Sequence, residues 1–154
     1  IEAVKTMDLV LRETEQHQWK EQRFGNKIFK NRRNTDYSVR EALAHAAVDL
    51  ARDLKLIAII IPTEQGTTAR IIAAHRAMAP IVGACSSQKI CSRLALHWGV
   101  IPVLIDSSSE KDWRLLCHII EPQMHLSKNS DVLLISGFSD NPKKNEPVLK
   151  ILRM

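Results

Sequence analysis

One continuous apolar stretch in the middle of the chain limits the folds that this sequence can adopt. Residues 56–62 read Leu-Ile-Ala-Ile-Ile-Ile-Pro, and residues 63–70 read Thr-Glu-Gln-Gly-Thr-Thr-Ala-Arg. The first segment has the length of a strand and no alternation of apolar with polar residues, which is typical of a parallel strand covered on both faces. Gly66 permits a tight turn, and Thr67 or Thr68 can cap a following helix. The stretch therefore predicts a buried strand that turns directly into a helix.

This turn is also a candidate anion site. Backbone N–H groups are free where a buried parallel strand turns into a helix, and α/β sheets bind anions at that edge. The turn contains one glycine and no lysine. A capped connection that binds no ligand is therefore the alternative interpretation.

The other segments alternate between helix and strand patterns. Ser38 and Glu41 have the spacing of a capping box and precede an apolar helical stripe. Further helices are predicted over residues 1–18, 68–78, 88–98 and 109–125, and further strands over 81–85, 100–105, 131–136 and 148–154. The alternation predicts an α/β fold of three layers, α/β/α, with a five-stranded, mostly parallel sheet. The last strand follows a loop without a helix, so it must run antiparallel at an edge.

The composition limits the class of protein. The 154 residues are 45% hydrophobic and 25% charged, which fits a globular domain with a core of its own. No apolar run approaches the roughly 20 residues of a membrane span, and no signal-peptide pattern opens the chain. Three cysteines, Cys85, Cys91 and Cys117, cannot all pair and lack CxxC spacing, so we expect reduced thiols and a cytoplasmic location. The histidines are dispersed, and no metal site is predicted.

The net charge of +5 originates in one segment. From Lys20 to Arg33 there are six Lys or Arg residues and one Glu, so the net charge of this segment is six minus one, or +5. The rest of the chain is therefore nearly neutral. A basic arm for nucleic acid is one interpretation, and a solvated linker is the preferred one. We expect a helix with this linker over residues 1–35 and an α/β domain over residues 36–154. Because the chain starts inside a helical pattern, we expect a fragment of a longer protein.

Five stretches, in order, resemble the C-terminal domain of pyruvate kinase. They are residues 2–7 (Glu-Ala-Val-Lys-Thr-Met), 41–51, 63–69, 79–82 (Ala-Pro-Ile-Val) and 93–104. The last is the most specific, because Arg-Leu-Ala-Leu-His-Trp-Gly-Val-Ile-Pro-Val-Leu resembles the family pattern R-x-L-x-L-x-[WR]-G-V-x-P. The resemblance covers essentially the whole chain and implies the last helix of the catalytic barrel followed by the regulatory domain, with strand order 3-2-1-4-5.

The resemblance implies regulation and assembly rather than catalysis. In the family, the residues that bind phosphoenolpyruvate, ADP, Mg²⁺ and K⁺ lie in the barrel and its cap domain. We therefore expect no catalytic residue, metal or cofactor in this chain, whereas the barrel of the parent enzyme would use Mg²⁺ and K⁺. The implied partners are that barrel within the same polypeptide and further copies of the chain, as a dimer here and a tetramer in the parent.

The resemblance also implies a site for a phosphorylated effector. Its first loop, residues 63–68, consists of Thr63, Glu64, Gln65, Gly66, Thr67 and Thr68. In regulated members this loop holds a phosphate of a sugar-phosphate effector, and a second loop, residues 137–147 here, closes over it.

Two departures from the family pattern modify this expectation. Glu64 and Thr67 stand where members that respond to sugar bisphosphates often have basic residues, and the second loop lacks the pattern G-[ST]-G-x-T-N. Lys143 and Lys144 can restore positive charge there. Trp113 lies near the position of an aromatic residue in effector-binding relatives, although ordinary helix packing explains it equally well. We therefore predict a site for a monophosphate rather than a bisphosphate.

Three classes of function follow. The favoured one is the regulatory and oligomerisation domain of a pyruvate kinase, a glycolytic enzyme, which is inactive without its barrel. The second is a free-standing domain that binds a nucleotide or phosphorylated metabolite. The third is nucleic-acid binding through the basic segment. Cys85 is predicted to be a small core residue rather than a nucleophile.

Overall fold

The computed structural model describes residues 2–20, 38–106, 112–124, 129–139 and 145–154, with the backbone alone at Trp19, Lys20, Trp113, Gln123 and Met124. The chain divides into two units, residues 1–35 and 36–154. In the first unit, helix α1 spans Glu2–Lys20. The basic segment lies outside the described residues, apart from the backbone of Lys20. Neither α1 nor another described helix has the length and apolarity to cross a membrane.

The second unit is a five-stranded sheet with helices on both faces. Its elements are α2 (Val39–Asp53), β1 (Ile59–Pro62), α3 (Thr67–Ala74), β2 (Ile81–Cys85), α4 (Gln88–Leu94), β3 (Val100–Leu104), α5 (Trp113–Met124), β4 (Asp131–Ser136) and β5 (Val148–Arg153). The strand order is β3-β2-β1-β4-β5, and every neighbouring pair is parallel except β4 and β5. The predicted α/β class, the strand order and the antiparallel last strand are therefore confirmed.

Two cores cover the faces of the central strand β1. Ile59 and Ile61 point to the face covered by α2, α3 and α4, and Ile60 points to the face covered by α5. All three side chains are fully buried. Burial of one isoleucine contributes about 1.5–3 kcal/mol. The unbroken apolar run therefore reflects a strand that is buried on both sides, as predicted.

The capping box at the start of α2 is present as predicted. The Glu41 N–H donates to Ser38 Oγ at 3.2 Å, and the Ser38 N–H donates to the Glu41 carboxylate at 3.1 Å.

The ends of α3 and α4 differ from the predicted ones. The N-cap of α3 is Gly66, with no capping side chain, so the predicted Thr67 or Thr68 cap is wrong. α3 ends at Ala74 rather than near residue 78, because Arg76 adopts a φ of 53°. α4 ends at Leu94 rather than near residue 98, because the chain turns there and the His97 N–H donates to the Leu94 carbonyl at 3.0 Å.

Cys85 and Cys91 form a disulfide, which contradicts the expectation of reduced thiols. Cys85 is the last residue of β2 and Cys91 lies in α4. The short turn between them brings their Cα atoms to 6.2 Å, a separation that a disulfide can bridge. Cys85 is fully buried, in agreement with its assignment to the core. Cys117 is a free thiol, and burial raises its pKa.

Candidate phosphate-binding site

The first loop begins where β1 ends, and its shape depends on Thr63. The Thr63 N–H donates to the Ala84 carbonyl at 2.8 Å, which continues the pairing of β1 with β2. The Thr63 hydroxyl accepts a hydrogen bond from the Gly66 N–H at 2.8 Å. Gly66 adopts a φ of 80°, a left-handed conformation that favours glycine. These contacts fold residues 63–66 into a tight turn that starts α3 directly.

The start of α3 has the properties of an anion site. The first N–H groups of a helix have no partner within the helix, and the N-cap residue here, Gly66, has no side chain that could cap them. Thr67 is half-buried and Thr68 is 5% exposed, whereas Glu64 and Gln65 are exposed. An anion at an exposed helix N-terminus gains about 0.3–1 kcal/mol from the helix dipole. The turn therefore offers backbone donors and hydroxyl groups, with one carboxylate near them in the sequence.

The second loop follows the neighbouring strand at the same edge of the sheet. β4 runs parallel to β1, with Ile59 opposite Leu133, so both strands end at that edge. The base of the loop is closed by a hydrogen bond from the Glu146 N–H to the Gly137 carbonyl at 2.9 Å. Gly137 has a φ of 81°, and a Cβ there would collide with the Glu146 carbonyl oxygen. The described ends of the second loop are thus held close together.

The positions of the remaining predicted site residues are only partly described. Lys143 and Lys144 lie outside the described residues. Trp113 begins α5, and its side chain is outside the described part of the structure. The strand order therefore brings the described parts of the two loops to one edge, but it does not show where the two lysines and the tryptophan ring lie.

Arg40 is a cation near the second loop that sequence reasoning missed. Its guanidinium lies 5.0 Å from the centre of the Phe138 ring, and Phe138 packs against the core beneath α2, α3 and α4. Such a contact holds a positive charge over an aromatic face. The two residues are far apart in the chain, so no local sequence pattern indicates their contact.

A histidine pair lies between α2 and α3. The rings of His45 and His75 meet edge to face, with their centres 5.8 Å apart. Burial and the nearby His45 lower the pKa of His75, against the opposing effect of Glu41 and Asp49. Among the described residues, no three His, Cys, Asp or Glu side chains form a group that could hold a metal. The pair therefore links the two helices and is distinct from the turn that starts α3.

The strand order and the two loops define a doubly wound α/β domain, a class that binds ligands beside the carboxyl ends of its central strands. Comparison with known families identifies the particular family. The family model described as pyruvate kinase, alpha/beta domain matches residues 41–152. The chain therefore belongs to the family of pyruvate kinase alpha/beta domains, which confirms the resemblance found in the sequence.

Individual relatives agree with this assignment. The pyruvate kinase of Clostridium acetobutylicum is 27% identical over 154 residues, which cover 98% of this chain and 32% of that protein. The pyruvate kinase of Sporosarcina psychrophila is 31% identical over 138 residues, 89% of this chain and 23% of that protein. The solved structure of Cryptosporidium parvum pyruvate kinase in complex with ADP has a TM-score of 0.68 at 22% identity, over 78% of this chain and 24% of that one. The chain thus spans about a third or less of the length of these relatives.

Proposed function

We propose that this chain is the regulatory and subunit-contact domain of a cytoplasmic, glycolytic pyruvate kinase, and that it binds a phosphorylated effector through the first loop. The observation that carries the proposal is the start of α3, where the N-cap residue is Gly66 and supplies no capping side chain. Membership of the family supports this assignment, since 112 residues, from 41 to 152, match its model.

The proposed ligand has one phosphate group in this loop. Its oxygens accept hydrogen bonds from the first N–H groups of α3 and from the Thr67 hydroxyl. Glu64 adds a like charge, which disfavours a second phosphate. Arg40 together with Lys143 and Lys144 would supply positive charge from the second loop, and Trp113 would offer an aromatic surface. A coupling of about 1–3 kcal/mol would suffice to regulate a distant active site.

Phosphoryl transfer belongs to the barrel of the parent enzyme in this proposal. That chemistry depends on bound metal ions and positioned charges, and no group among the described side chains could hold a metal. We therefore assign the Mg²⁺ and K⁺ of the reaction to the barrel. In a coupled assay with phosphoenolpyruvate, ADP and both ions, the isolated chain should show background turnover, and activity that survives repurification would contradict this assignment.

The proposed subunit contact uses the outer edge of β5. Val148 and Ile151 are 49% and 45% exposed on this edge strand, and an exposed apolar edge favours pairing with another chain. We expect a dimer of the chain through β5 and a tetramer in the parent enzyme. Light scattering that reports a monomer across the micromolar range would count against it.

The phosphate site is tested by titrating the chain with inorganic phosphate, a sugar monophosphate and AMP while backbone amide shifts are recorded. We expect the largest shifts at residues 66–69. Thr67→Asp should weaken binding at least about fivefold, because a like charge about 4 Å away costs about 1 kcal/mol even in water. The same change should not unfold α3, since a carboxylate in the first turn stabilises a helix.

Ser92→Asp is the matched control, because it adds the same charge on an exposed position of α4. It should leave the affinity for phosphate unchanged. Shifts that avoid residues 66–69, or equal losses in both variants, would show that the first loop is only a connection. Tight binding of AMP alone would favour a nucleotide-binding domain instead.

A further inference from the structure

The disulfide lies one residue away from a hydrogen bond that anchors the first loop. Cys85 ends β2, and the carbonyl of the preceding Ala84 accepts the hydrogen bond from the Thr63 N–H. The Cys85 carbonyl itself accepts from the Ile105 N–H at 3.0 Å, beyond the end of β3. The backbone at Cys85 is therefore fixed between the first loop and the connection that follows β3.

The disulfide also attaches α4 to the end of β2. α4 is a short helix of seven residues, and the side chain of its N-cap, Ser87, makes no capping hydrogen bond. A short helix without a cap has little stability of its own. The Cys85–Cys91 bond is thus a covalent restraint on the position of α4.

A side chain of α4 contacts the first loop directly. Leu94 is 1% exposed, and its methyl groups lie where side chains at Gly66 and Gly83 would otherwise be. A Cβ at Gly66 would be 2.9 Å from Leu94 Cδ2, and a Cβ at Gly83 would be 2.8 Å from Leu94 Cδ1. Ile90 also approaches Gly66. The position of α4 therefore determines how tightly the residue that starts α3 is packed.

We propose that the Cys85–Cys91 disulfide is a reversible redox site that controls the geometry of the first loop, and through it the affinity for a phosphorylated ligand. The effect on ligand affinity rests on the proposed function, whereas the effect on the geometry of the first loop does not. In the oxidised form, α4 holds Leu94 against Gly66, and the N–H groups of α3 are ordered for an anion. In the reduced form, α4 is released from β2, and the loop loses that support.

The reductant in this proposal is a dithiol. One of its thiolates attacks the Cys91 sulfur, which is 5% exposed, whereas Cys85 is fully buried. The disulfide breaks, and its electron pair leaves with the Cys85 sulfur, which takes up a proton. The second thiolate of the reductant then attacks the reductant's own sulfur in the mixed disulfide, and Cys91 leaves as a thiolate that is also protonated. Two electrons and two protons pass to the cysteine pair, and the dithiol becomes a cyclic disulfide.

The test compares the full chain after equilibration with reduced or oxidised dithiothreitol, with the thiol state verified by alkylation and mass spectrometry. The first readout is amide hydrogen exchange of residues 66–69 without any anion, which reports the opening of the loop. The second is the affinity for inorganic phosphate. We expect reduction to accelerate exchange and to weaken phosphate binding, each at least about fivefold.

Three variants separate the disulfide from other effects of the reductant. Cys85→Ala and Cys91→Ala, made separately, should each behave like the reduced chain under both conditions, and agreement between the two excludes packing damage that is specific to one substitution. Cys117→Ser is the matched control, since Cys117 is a free thiol outside the pair. It should keep the full response to reduction.

The possible outcomes separate this inference from the proposed function. Unchanged exchange at residues 66–69 after verified reduction would overturn the switch, as would free thiols at both positions under oxidising conditions. Equal phosphate affinity in both states would overturn the control of binding while supporting the phosphate site. A redox response of the loop without phosphate binding in either state would support the switch and refute the proposed function.

Discussion

Replacement of Gly83 by alanine should destabilise the unchanged chain but stabilise a chain in which Leu94 is replaced by alanine. In the unchanged chain, the added Cβ would lie 2.8 Å from Leu94 Cδ1 on the same face of the sheet. Overpacking of this kind costs about 1–3 kcal/mol. The lower backbone entropy of alanine in the unfolded chain offsets about 0.5–1 kcal/mol of that cost. We therefore expect Gly83→Ala to lower the free energy of unfolding, by up to about 2.5 kcal/mol.

Leu94→Ala removes the atoms that Gly83→Ala would contact. Leu94 is 1% exposed, and loss of such a buried leucine costs about 2–5 kcal/mol. In that background the new methyl group enters the space that Leu94 leaves, and only the entropic gain remains. Gly83→Ala should then raise the free energy of unfolding by about 0.5–1 kcal/mol, so the double-mutant cycle has a large coupling energy.

Urea unfolding of the four proteins measures the cycle. Leu116→Ala is the matched background, because Leu116 is equally buried but belongs to the core on the opposite face of the sheet. Gly83→Ala should still destabilise the chain there. An effect of Gly83→Ala that is the same in the Leu94→Ala and Leu116→Ala backgrounds would refute the packing of α4 against Gly83.

Further predictions concern the second loop, a buried histidine and a helix cap. Gly137→Ala should lower the free energy of unfolding in urea by at least about 1–3 kcal/mol, since the added Cβ would collide with the Glu146 carbonyl. An unchanged urea midpoint would contradict the close approach of Gly137 and Glu146 at the base of the second loop. The pKa of His75 is lowered in the folded chain from its ordinary value of 6.5, so the unfolded chain binds more protons, and the free energy of unfolding is highest above pH 6.5 and falls as the pH drops toward the folded pKa. His75→Gln should make the free energy of unfolding less dependent on pH in this range, and an unaltered pH dependence would refute the assignment to His75. Ser38→Ala should cost about 1 kcal/mol through loss of the capping box, whereas a neutral result would mean that water replaces the cap.

Local patterns were reliable where short-range forces decide the structure. The capping box predicted the start of α2, because Ser38 and Glu41 satisfy each other's backbone within one turn. The strand patterns predicted all five described strands to within a few residues. Burial on both faces selects the continuous apolar runs of β1, β2 and β4, whereas the edge strands β3 and β5 are partly exposed. Helix ends were less reliable. α3 follows an N-cap glycine and ends at Ala74, two residues before Arg76 with its φ of 53°. The preference of threonine for N-cap positions indicates neither end.

The candidate site also combines features that the sequence predicts with contacts that it does not predict. The turn at residues 63–68 was recognisable because Gly66 and the threonines are consecutive, and its place beside the second loop followed from the family strand order. The Thr63 hydroxyl that closes the turn, and the Arg40 guanidinium over Phe138, were not recognisable. The Thr63 contact is local, but the sequence does not specify that this hydroxyl turns toward the Gly66 N–H. The Arg40 contact joins distant parts of the chain, which only the assembled fold brings together.

The sequence alone determined the class of fold and the family, because alternating apolar segments with short connections permit few arrangements of strands and helices. The tertiary structure decided what surrounds the first loop. Spacing suggested reduced cysteines, but the turn from β2 into α4 brings two of them within bonding distance, and it places Leu94 in the space left by Gly66 and Gly83. The physical reason is that a disulfide and a close-packed contact depend on distances in space, which separation along the chain does not specify.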